Sequence, residues 1–270
     1  MPQLQQVFLE FCETLYSATD IDTMFNALEK AVLAMGFDNL SYTFIPGALG
    51  RSLNQLSPIF RISKSYNAKF IQHYSEARFG KDDFTIKRIT SGDLTPMVWW
   101  REAEERRLAK SELEVITVAR EDYGIHQGIS VPAFSDGYNI AGVSVTREEV
   151  DRGFDQLYEE RGEYLRKMSL MFSDRVLCTT EARAIFLAPL LRTLSSTEKR
   201  VLSSLAKGSN LKAVCQELDL DYKYVANSVI KNLRKKFGDV TRDTLMYEAG
   251  LLNLADLIAG ERNSLKPAKG

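Results

Sequence analysis

The clearest chemical capacity in this sequence is that of a short basic stretch near its C-terminal end. Between Tyr222 and Phe237 there is no Asp or Glu, and the cationic residues there are Lys223, Lys231, Arg234, Lys235 and Lys236. The same stretch carries the uncharged polar residues Asn227, Ser228 and Asn232. Lys and Arg neutralise phosphates, Asn pairs with adenine edges, and Lys or Arg pairs with guanine edges. The stretch therefore indicates nucleic-acid binding, with a solvated amphipathic helix as the alternative.

A second group of polar and aromatic residues could form the wall of a small-molecule pocket. Its members are Tyr66, Phe70, Tyr74, Asp83, Trp100, Gly128 and Ser144. Aromatic walls, a few hydroxyl donors and one carboxylate that accepts an amide N–H suit a ligand with a polar head and an apolar tail. Each residue also has a plainer explanation. Tyr and Trp commonly fill cores, and Asp83 can simply cap a helix that begins at Phe84.

The elements around the basic stretch predict a helix-turn-helix. Ser195 or Ser196 can cap a helix that ends near Gly208, and a second helix follows from Leu211 to Leu218. After a short polar turn, a third helix is predicted from Tyr222 to Phe237. Its inward-facing positions are predicted to be Ala226, Ile230, Leu233 and Phe237. Such a module can lay its last helix in a major groove.

The first two thirds of the chain read as alternating helices and strands. Two helices are predicted before Gly36, with a break near residues 18–20. Strands are predicted at residues 40–45 and 60–65, and a hairpin at 128–134 and 140–146 around Ser135-Asp136-Gly137. Helices are predicted at residues 67–77, 84–90, 102–122 and 147–177. This pattern favours an α/β domain, an α-β-α sandwich, followed by an all-α helix-turn-helix domain.

Composition argues against a disulfide-rich, metal-binding or membrane-spanning protein. The chain of 270 residues is 44% hydrophobic and 26% charged with a net charge of −1, as in soluble globular proteins. Residues 194–251 hold ten Lys or Arg and seven Asp or Glu, so positive charge is concentrated there. Three distant cysteines and two histidines favour neither a disulfide framework nor a metal site. No leader or membrane span is predicted, so a cytoplasmic location is expected.

Catalysis is not indicated. Neither His73 nor His126 lies in a recognisable catalytic order, and Gly47-Ala48-Leu49-Gly50 lacks the Lys and helix context of a phosphate-binding loop. The sequence therefore predicts a protein that is not an enzyme and has no cofactor. An unrecognised enzyme, or a protein-interaction adaptor with an incidental helix-turn-helix, remains as an alternative.

The C-terminal segment resembles the LuxR-type helix-turn-helix. That pattern reads approximately L-T-x-R-E-x-E-V-L, then Gly, then K-E-I-A, and ends K-L-G. This chain offers Leu194-Ser195-Ser196-Thr197-Glu198-Lys199-Arg200-Val201-Leu202, Gly208, Lys212-Ala213-Val214-Cys215 and Lys236-Phe237-Gly238. Matching from the last motif places Asn227 and Lys231 where the family contacts bases. The turn at residues 219–221 is one residue longer than usual.

Residues 66–128 look like the autoinducer-binding domain that precedes this module in LuxR-type quorum-sensing regulators. The family segment W-x-x-x-Y, followed by an Asp, is answered by Phe70-Ile71-Gln72-His73-Tyr74 and Asp83. The segment F-G-I-R-S-G is answered by Tyr123-Gly124-Ile125-His126-Gln127-Gly128, and a family Trp falls at Trp100. The resemblance implies that Asp83 accepts the amide N–H of an acyl-homoserine lactone. It implies too that Tyr66 and Tyr74 bind the acyl-amide part and that Trp100 packs on the headgroup.

Two departures from the family pattern bear on the ligand. Phe70 stands where the family has a Trp whose indole N–H bonds the lactone carbonyl, and Phe84 stands in place of a proline. An unpaired carbonyl in a dry pocket costs about 1–3 kcal/mol. These departures leave open an acyl-homoserine lactone, a different small signal, or a domain that works without a ligand.

Together these observations predict a transcriptional regulator that binds promoter DNA as a homodimer under control of a small signal molecule. The predicted domains are a sensing and dimerising domain at 1–175, a linker at 176–193, the DNA-binding module at 194–257 and a tail at 258–270. The helix at 147–177 is the candidate for dimer contact, with a core role as the alternative. The predicted DNA-contacting residues are Lys212, Lys223, Asn227, Ser228, Lys231, Asn232, Lys235 and Lys236. The signal, the target promoters and the choice between activation and repression are not readable from the sequence.

Overall fold

The chain divides into two compact units, Met1–Arg183 and Ala184–Gly270. The computed structural model describes residues 2–46, 58–135, 139–149 and 153–264. Within those ranges, no helix combines the length and the apolar character that a membrane crossing requires.

The first unit contains helices and strands in alternation, as predicted. Its helices are α1 (Pro2–Ser17), α2 (Ile21–Ala34), α3 (Ala68–Glu76), α4 (Phe84–Thr90), α5 (Trp99–Arg106), α6 (Lys110–Tyr123) and α7 (Phe154–Cys178). Its strands are β1 (Asn39–Ile45), β2 (Ile59–Ile62), β3 (Met97–Val98), β4 (Gln127–Ser135) and β5 (Ile140–Arg147). The short strand β3 was not predicted, because two apolar residues between a proline and two tryptophans give no alternation to read.

The strands form one five-stranded sheet in the order β2-β1-β5-β4-β3. All of the described pairings are antiparallel. The predicted hairpin is confirmed as the pair β4 and β5, while Asp136 and Gly137 of its predicted turn lie outside the described residues. The pairing places Ser41, Ser144 and Ser130 directly opposite one another on β1, β5 and β4.

Helices pack on both faces of this sheet, so the α/β prediction for the first unit is confirmed. On one face the Tyr42 hydroxyl lies 3.1 Å from the Ser173 hydroxyl of α7, and the Tyr42 ring packs edge-on against Phe172. On the other face Ser41 and its alternate neighbours along β1 point toward α3, α4 and α6. Because side chains alternate along a strand, β1 contributes to two separate interiors.

Two helix boundaries differ from the prediction. The single helix predicted at residues 102–122 is two helices, α5 and α6, because Arg107 has a left-handed backbone with φ of 49° and ends α5. Residues other than glycine rarely adopt this conformation, so the sequence carries no signal for the break. Helix α7 begins at Phe154, later than predicted, because strand β5 continues through Arg147.

In the second unit the described residues form helices and their connections. The division between the units falls within α8 (Thr180–Arg192); the elements that follow are α9 (Ser196–Ala206), α10 (Leu211–Leu218), α11 (Tyr222–Tyr224), a π-helical turn (Val225–Val229), α12 (Ile230–Lys236), α13 (Arg242–Leu251) and α14 (Leu254–Ser264). The stretch predicted as a linker, residues 176–193, is therefore mostly helical. Its role as a linker stays a proposal.

Side chains cap the helices that precede the basic stretch. At the start of α9 the Ser195 hydroxyl accepts the Glu198 backbone N–H at 3.2 Å, and the Glu198 carboxylate accepts the Ser195 N–H at 2.6 Å. Asn210 caps α10 in the same way, through the N–H of Ala213. These bonds satisfy backbone donors that a helix start leaves unpaired.

The predicted inward face of the third helix is wrong by one residue at its N-terminal end. Leu233 and Phe237 are fully buried as predicted, and Ile230 is buried, but Val225 takes the place of the partly exposed Ala226. The cause is the π turn, in which the Ile230 N–H bonds the carbonyl five residues back, at Val225. A π turn holds one residue more than an α turn and shifts the helix face that precedes it.

Candidate functional site

The first unit encloses a cavity between the sheet and helices α3, α4 and α6. Its free space is about 790 Å³, including the part that opens to solvent. Apolar walls are provided by Ile45, Phe60, Phe70, Ile71, Ile86, Ile89, Trp99, Val115, Ile116, Ala119, Val131, Ile140 and Ala141. Polar side chains are provided by Ser41, Thr43, Tyr66, Tyr74, Asp83, Thr85, Ser130 and Ser144.

Asp83 both caps α4 and accepts a hydrogen bond inside the cavity. Its Oδ1 accepts the backbone N–H of Thr85 at 2.8 Å and the Thr85 hydroxyl at 2.6 Å, so it caps α4. Its Oδ2 accepts the Tyr74 hydroxyl at 2.8 Å inside the cavity. The two explanations offered by the sequence, a cap and a pocket carboxylate, are therefore both realised by one side chain.

Burial and the nearby carboxylate keep the cavity tyrosines protonated. The pKa of Tyr74 is raised well above its ordinary value, first by burial and then by the charge of Asp83. Burial also raises the pKa of Tyr66, and the charge of Asp83 adds to that rise. Both phenols are consequently neutral hydrogen-bonding groups at any physiological pH.

A row of serine hydroxyls crosses the sheet on the cavity side. The Ser130 and Ser144 hydroxyls lie 2.8 Å apart, and the Trp99 indole N–H donates to Ser130 at 2.9 Å. An indole can only donate, so Ser130 is an acceptor toward Trp99. The two serines have two hydroxyl protons, and the hydrogen bond between them uses one. Among the described residues, neither serine has a further side-chain partner besides Trp99. One hydroxyl proton of the pair is therefore not used by another side chain.

Trp99, rather than the predicted Trp100, lies in the cavity wall. The two residues open α5 and so point about 100° apart. The Trp100 indole donates instead to the His126 carbonyl at 2.8 Å, and the Arg120 guanidinium lies over its ring at 4.5 Å. Trp100 was predicted because the family motif aligns a Trp with it. The sequence does not show that α5 begins at Trp99 and turns that side chain toward the cavity.

Gly128, another predicted wall residue, lies behind Trp99 and outside the cavity lining. A Cβ atom at this position would lie 2.5 Å from the Trp99 ring, which is closer than any real contact. The absence of a side chain at Gly128 therefore lets the indole sit flat against β4. Gly128 positions the wall and does not form part of it.

The other predicted pocket residues, Tyr66, Phe70, Tyr74, Asp83 and Ser144, all line the cavity. The Phe70 ring packs edge-on against Tyr74, with ring centroids 6.0 Å apart, and in a tilted arrangement against Tyr123 at 5.5 Å. It supplies apolar surface and no hydrogen-bond donor. Ser41 and Ser130 were missed, although the alternation that predicted their strands would have placed them on the same face as Ser144.

A second candidate surface lies on the basic helix of the second unit. Exposed residues there include Lys223, Asn227, Lys231, Asn232 and Lys235, and Ser228 is partly exposed. Lys212 is exposed on the preceding helix, α10. Apart from Ser228, these predicted DNA contacts are thus exposed, and the helix carries no acidic side chain among them.

Lys236, also predicted to contact DNA, instead bonds residues of its own unit. Its Nζ donates to the Glu198 carboxylate at 2.6 Å and to the Thr193 carbonyl at 2.6 Å. Glu198 is only 5% exposed. Burial opposes the ionised form, but the hydrogen bonds from Lys236 and from the Ser195 N–H hold the pKa of Glu198 below its ordinary value. Lys236 therefore anchors the start of α9 rather than standing free for phosphate.

Residues 20–176 match the autoinducer-binding domain family, and the chain belongs to that family. Among curated proteins, no sequence matches it. Similar solved structures include the N-acylhomoserine lactone dependent LuxR family transcription factor CepR2 from Burkholderia cenocepacia, which is 18% identical with a TM-score of 0.49 and covers 71% of this chain and 98% of its own. SdiA from Escherichia coli is 16% identical with a TM-score of 0.49, over 93% of this chain and 97% of its own. The VqsR ligand-binding domain from Pseudomonas aeruginosa is 12% identical with a TM-score of 0.43, over 62% of this chain and 97% of its own. The family assignment rests on the sequence match.

Proposed function

We propose that this protein is a cytoplasmic transcriptional regulator of the LuxR type that binds promoter DNA as a dimer under control of a small signal molecule. The observation that carries the proposal is the hydrogen bond between Tyr74 and Asp83 in the predominantly apolar cavity of an autoinducer-binding domain. The exposed basic helix of the second unit supports the DNA-binding part. Ligand burial would stabilise the first unit by mass action.

The hydrogen bonds of Asp83 indicate what the ligand offers it. A carboxylate has about four acceptor positions. Thr85 fills two on Oδ1, and Tyr74 fills one on Oδ2. The remaining position on Oδ2 suits an N–H or O–H of the ligand, and the isoleucine and valine side chains of the wall suit an acyl chain.

Phe70 bears on which head group the cavity accepts. A lactone carbonyl directed at this ring would have no donor there, and the cost of burying it unpaired is about 1–3 kcal/mol. Either the lactone carbonyl finds the spare proton of Ser130 and Ser144, or the signal is a related amide without that carbonyl. A titration with N-acyl-homoserine lactones and with the matching N-acyl cyclopentylamines separates these two cases.

The test of ligand control uses the full chain and its thermal stability. At a ligand concentration a hundredfold above Kd, binding stabilises by about 2.7 kcal/mol, which raises Tm by several degrees. Asp83→Asn is expected to lose this shift. The matched control is Asp174→Asn, since Asp174 is an exposed carboxylate on α7. A normal shift in Asp83→Asn would remove Asp83 from ligand recognition.

A regulator that needs no ligand is the second candidate, and one observation favours it. Several cavity polar groups already bond one another, Tyr74 with Asp83, Trp99 with Ser130, and Ser130 with Ser144. Native mass spectrometry of protein from its source organism and from a foreign host discriminates the two. An added mass present only in the first sample supports a signal molecule, and identical ligand-free masses with equal DNA binding support the ligand-independent regulator.

A further inference from the structure

The π turn at Val225–Val229 inserts one extra residue into the basic helix. Its defining bond joins the Ile230 N–H to the Val225 carbonyl. Regular α-helical hydrogen bonds resume beyond it, where the Phe237 N–H donates to the Leu233 carbonyl. The insertion therefore separates two helical stretches that belong to one continuous helix.

The spacing of the buried side chains shows how the π turn changes the helical register. Val225, Val229, Leu233 and Phe237 recur every fourth residue, and they are 0%, 3%, 0% and 0% exposed. In an unbroken α-helix, at about 100° per residue, Val225 and Phe237 would point about 120° apart. One extra residue in a π turn reduces that angle to about 20°. The turn is what allows both to be buried.

The same arithmetic applies to the outward face. Lys223, Asn227, Lys231 and Lys235 also recur every fourth residue, and all four are exposed. Here they are called the basic stripe. Without the π turn, Lys223 would point about 120° away from Lys235, and with it the two are about 20° apart. None of the four has a hydrogen bond or ion pair with a side chain in the described ranges, so the stripe is free for a partner.

We propose that the π turn aligns Lys223 with Lys231 and Lys235 so that all three contact one DNA duplex, Lys223 through a backbone phosphate. This inference rests on the proposed DNA-binding function. A helix inserted into a groove presents one face to the duplex, and only cations on that face displace counterions. Lys223 would lie at the side of the helix in a regular α-helix, and the extra residue moves it onto the stripe.

Binding of the purified full chain to a mixed-sequence DNA duplex, measured over a series of salt concentrations, tests the alignment. Lys223→Ala is expected to weaken binding severalfold and to reduce the slope of log affinity against log salt by about one. The control Lys207→Ala removes an exposed cation from the end of α9 and is expected to leave the slope unchanged. A second variant, Lys223→Ala with Tyr224→Lys, keeps the net charge but moves it about 100° around the helix. It is expected to behave like Lys223→Ala.

The outcomes distinguish failure of the alignment from failure of the proposed DNA-binding function. If the wild-type chain shows no salt-dependent binding, the proposed function fails. If the wild type binds steeply and Lys223→Ala has the wild-type slope, the alignment alone is overturned. If the charge-relocated double variant regains the wild-type slope, net charge rather than position matters, and the alignment is again overturned.

A deletion tests the register without DNA. Removing Ala226 should convert the π turn into an α turn and leave both flanks in place, so Tm is expected to stay within about 3 °C of wild type. Removing Ser204 from the regular helix α9 rotates Leu205 out of the core and is expected to lower Tm by more than about 5 °C. An equal loss in both deletions would overturn the account of the π turn.

Discussion

Lys236 Nζ and Glu198 Oε2 lie 2.6 Å apart across 38 residues of sequence, and this ion pair ties the basic helix to the start of α9. Glu198 also closes the capping box of α9 through the Ser195 N–H. The side chain is 6% exposed and that of Lys236 32%, so the pair is only partly screened by solvent. It links the orientation of the basic helix to that of α9, which precedes α10 in the chain.

Glu198→Gln is expected to destabilise the second unit by about 1–3 kcal/mol at neutral pH, because Lys236 loses its counterion. The pKa of Glu198 is lowered in the folded chain, so its contribution is present above the ordinary carboxylate pKa and is lost as pH falls through the folded value. Denaturant unfolding followed at a series of pH values measures this. The difference between wild type and variant should shrink on acidification. The control Glu217→Gln alters an exposed carboxylate of α10, and a pH-independent difference for Glu198→Gln would contradict the role of ionisation.

Lys231→Ala is expected to weaken DNA binding and to relax sequence preference, since the family resemblance places a base contact at this exposed residue of the basic stripe. The expected loss for one bidentate base contact is about 1–3 kcal/mol. Selection from a pool of genomic fragments, compared between wild type and variant, measures the preference. Unchanged site selectivity with reduced affinity would assign Lys231 to phosphate contact instead.

Phe70→Trp is expected to strengthen binding of N-acyl-homoserine lactones by up to about a hundredfold, because it restores an N–H donor beside the cavity. The matching N-acyl cyclopentylamine lacks the lactone carbonyl and serves as the control ligand. Thermal shifts or calorimetry with both compounds measure the gain. An equal gain for the two ligands would mean that the larger ring acts by packing alone.

Gly128→Ala is expected to lower stability by about 1–3 kcal/mol and to abolish ligand-induced thermal shifts, because the new Cβ displaces the Trp99 ring from β4. Gly250→Ala is the control, since a Cβ there meets nothing within 4 Å. That control should leave Tm unchanged or raise it slightly. Normal ligand shifts in Gly128→Ala would show that the position of Trp99 is unimportant for binding.

Periodicity was sufficient to predict four strands of the described sheet and most helices of the first unit, because burial on one face leaves a repeat of two or of nearly four residues. Asn39–Ile45 and the hairpin pair are examples, and Asp20 marks the start of α2 as an N-cap. The break at Arg107 was not predictable in this way. Its left-handed backbone ends α5 at a residue other than glycine, so the sequence has no glycine to mark the break.

Within the candidate sites, residue type predicted the chemistry better than residue position. Tyr74 and Asp83 do meet in the cavity, but Trp99 takes the place expected of Trp100, and Val225 takes that of Ala226. Both errors are shifts of one residue. The first arises because α5 starts at Trp99, and the second because a helix can absorb one residue in a π turn, which a search for a fixed 3.6-residue repeat cannot detect.

The hydroxyl row on β1, β5 and β4 makes the two polar parts of the cavity unlike each other. Asp83 has room only to receive a proton from a guest, whereas Ser130 and Ser144 retain one to give. A guest that places an N–H or O–H at Asp83 and an acceptor at the serines would satisfy both ends, whereas turning it end for end would set its acceptor against the carboxylate.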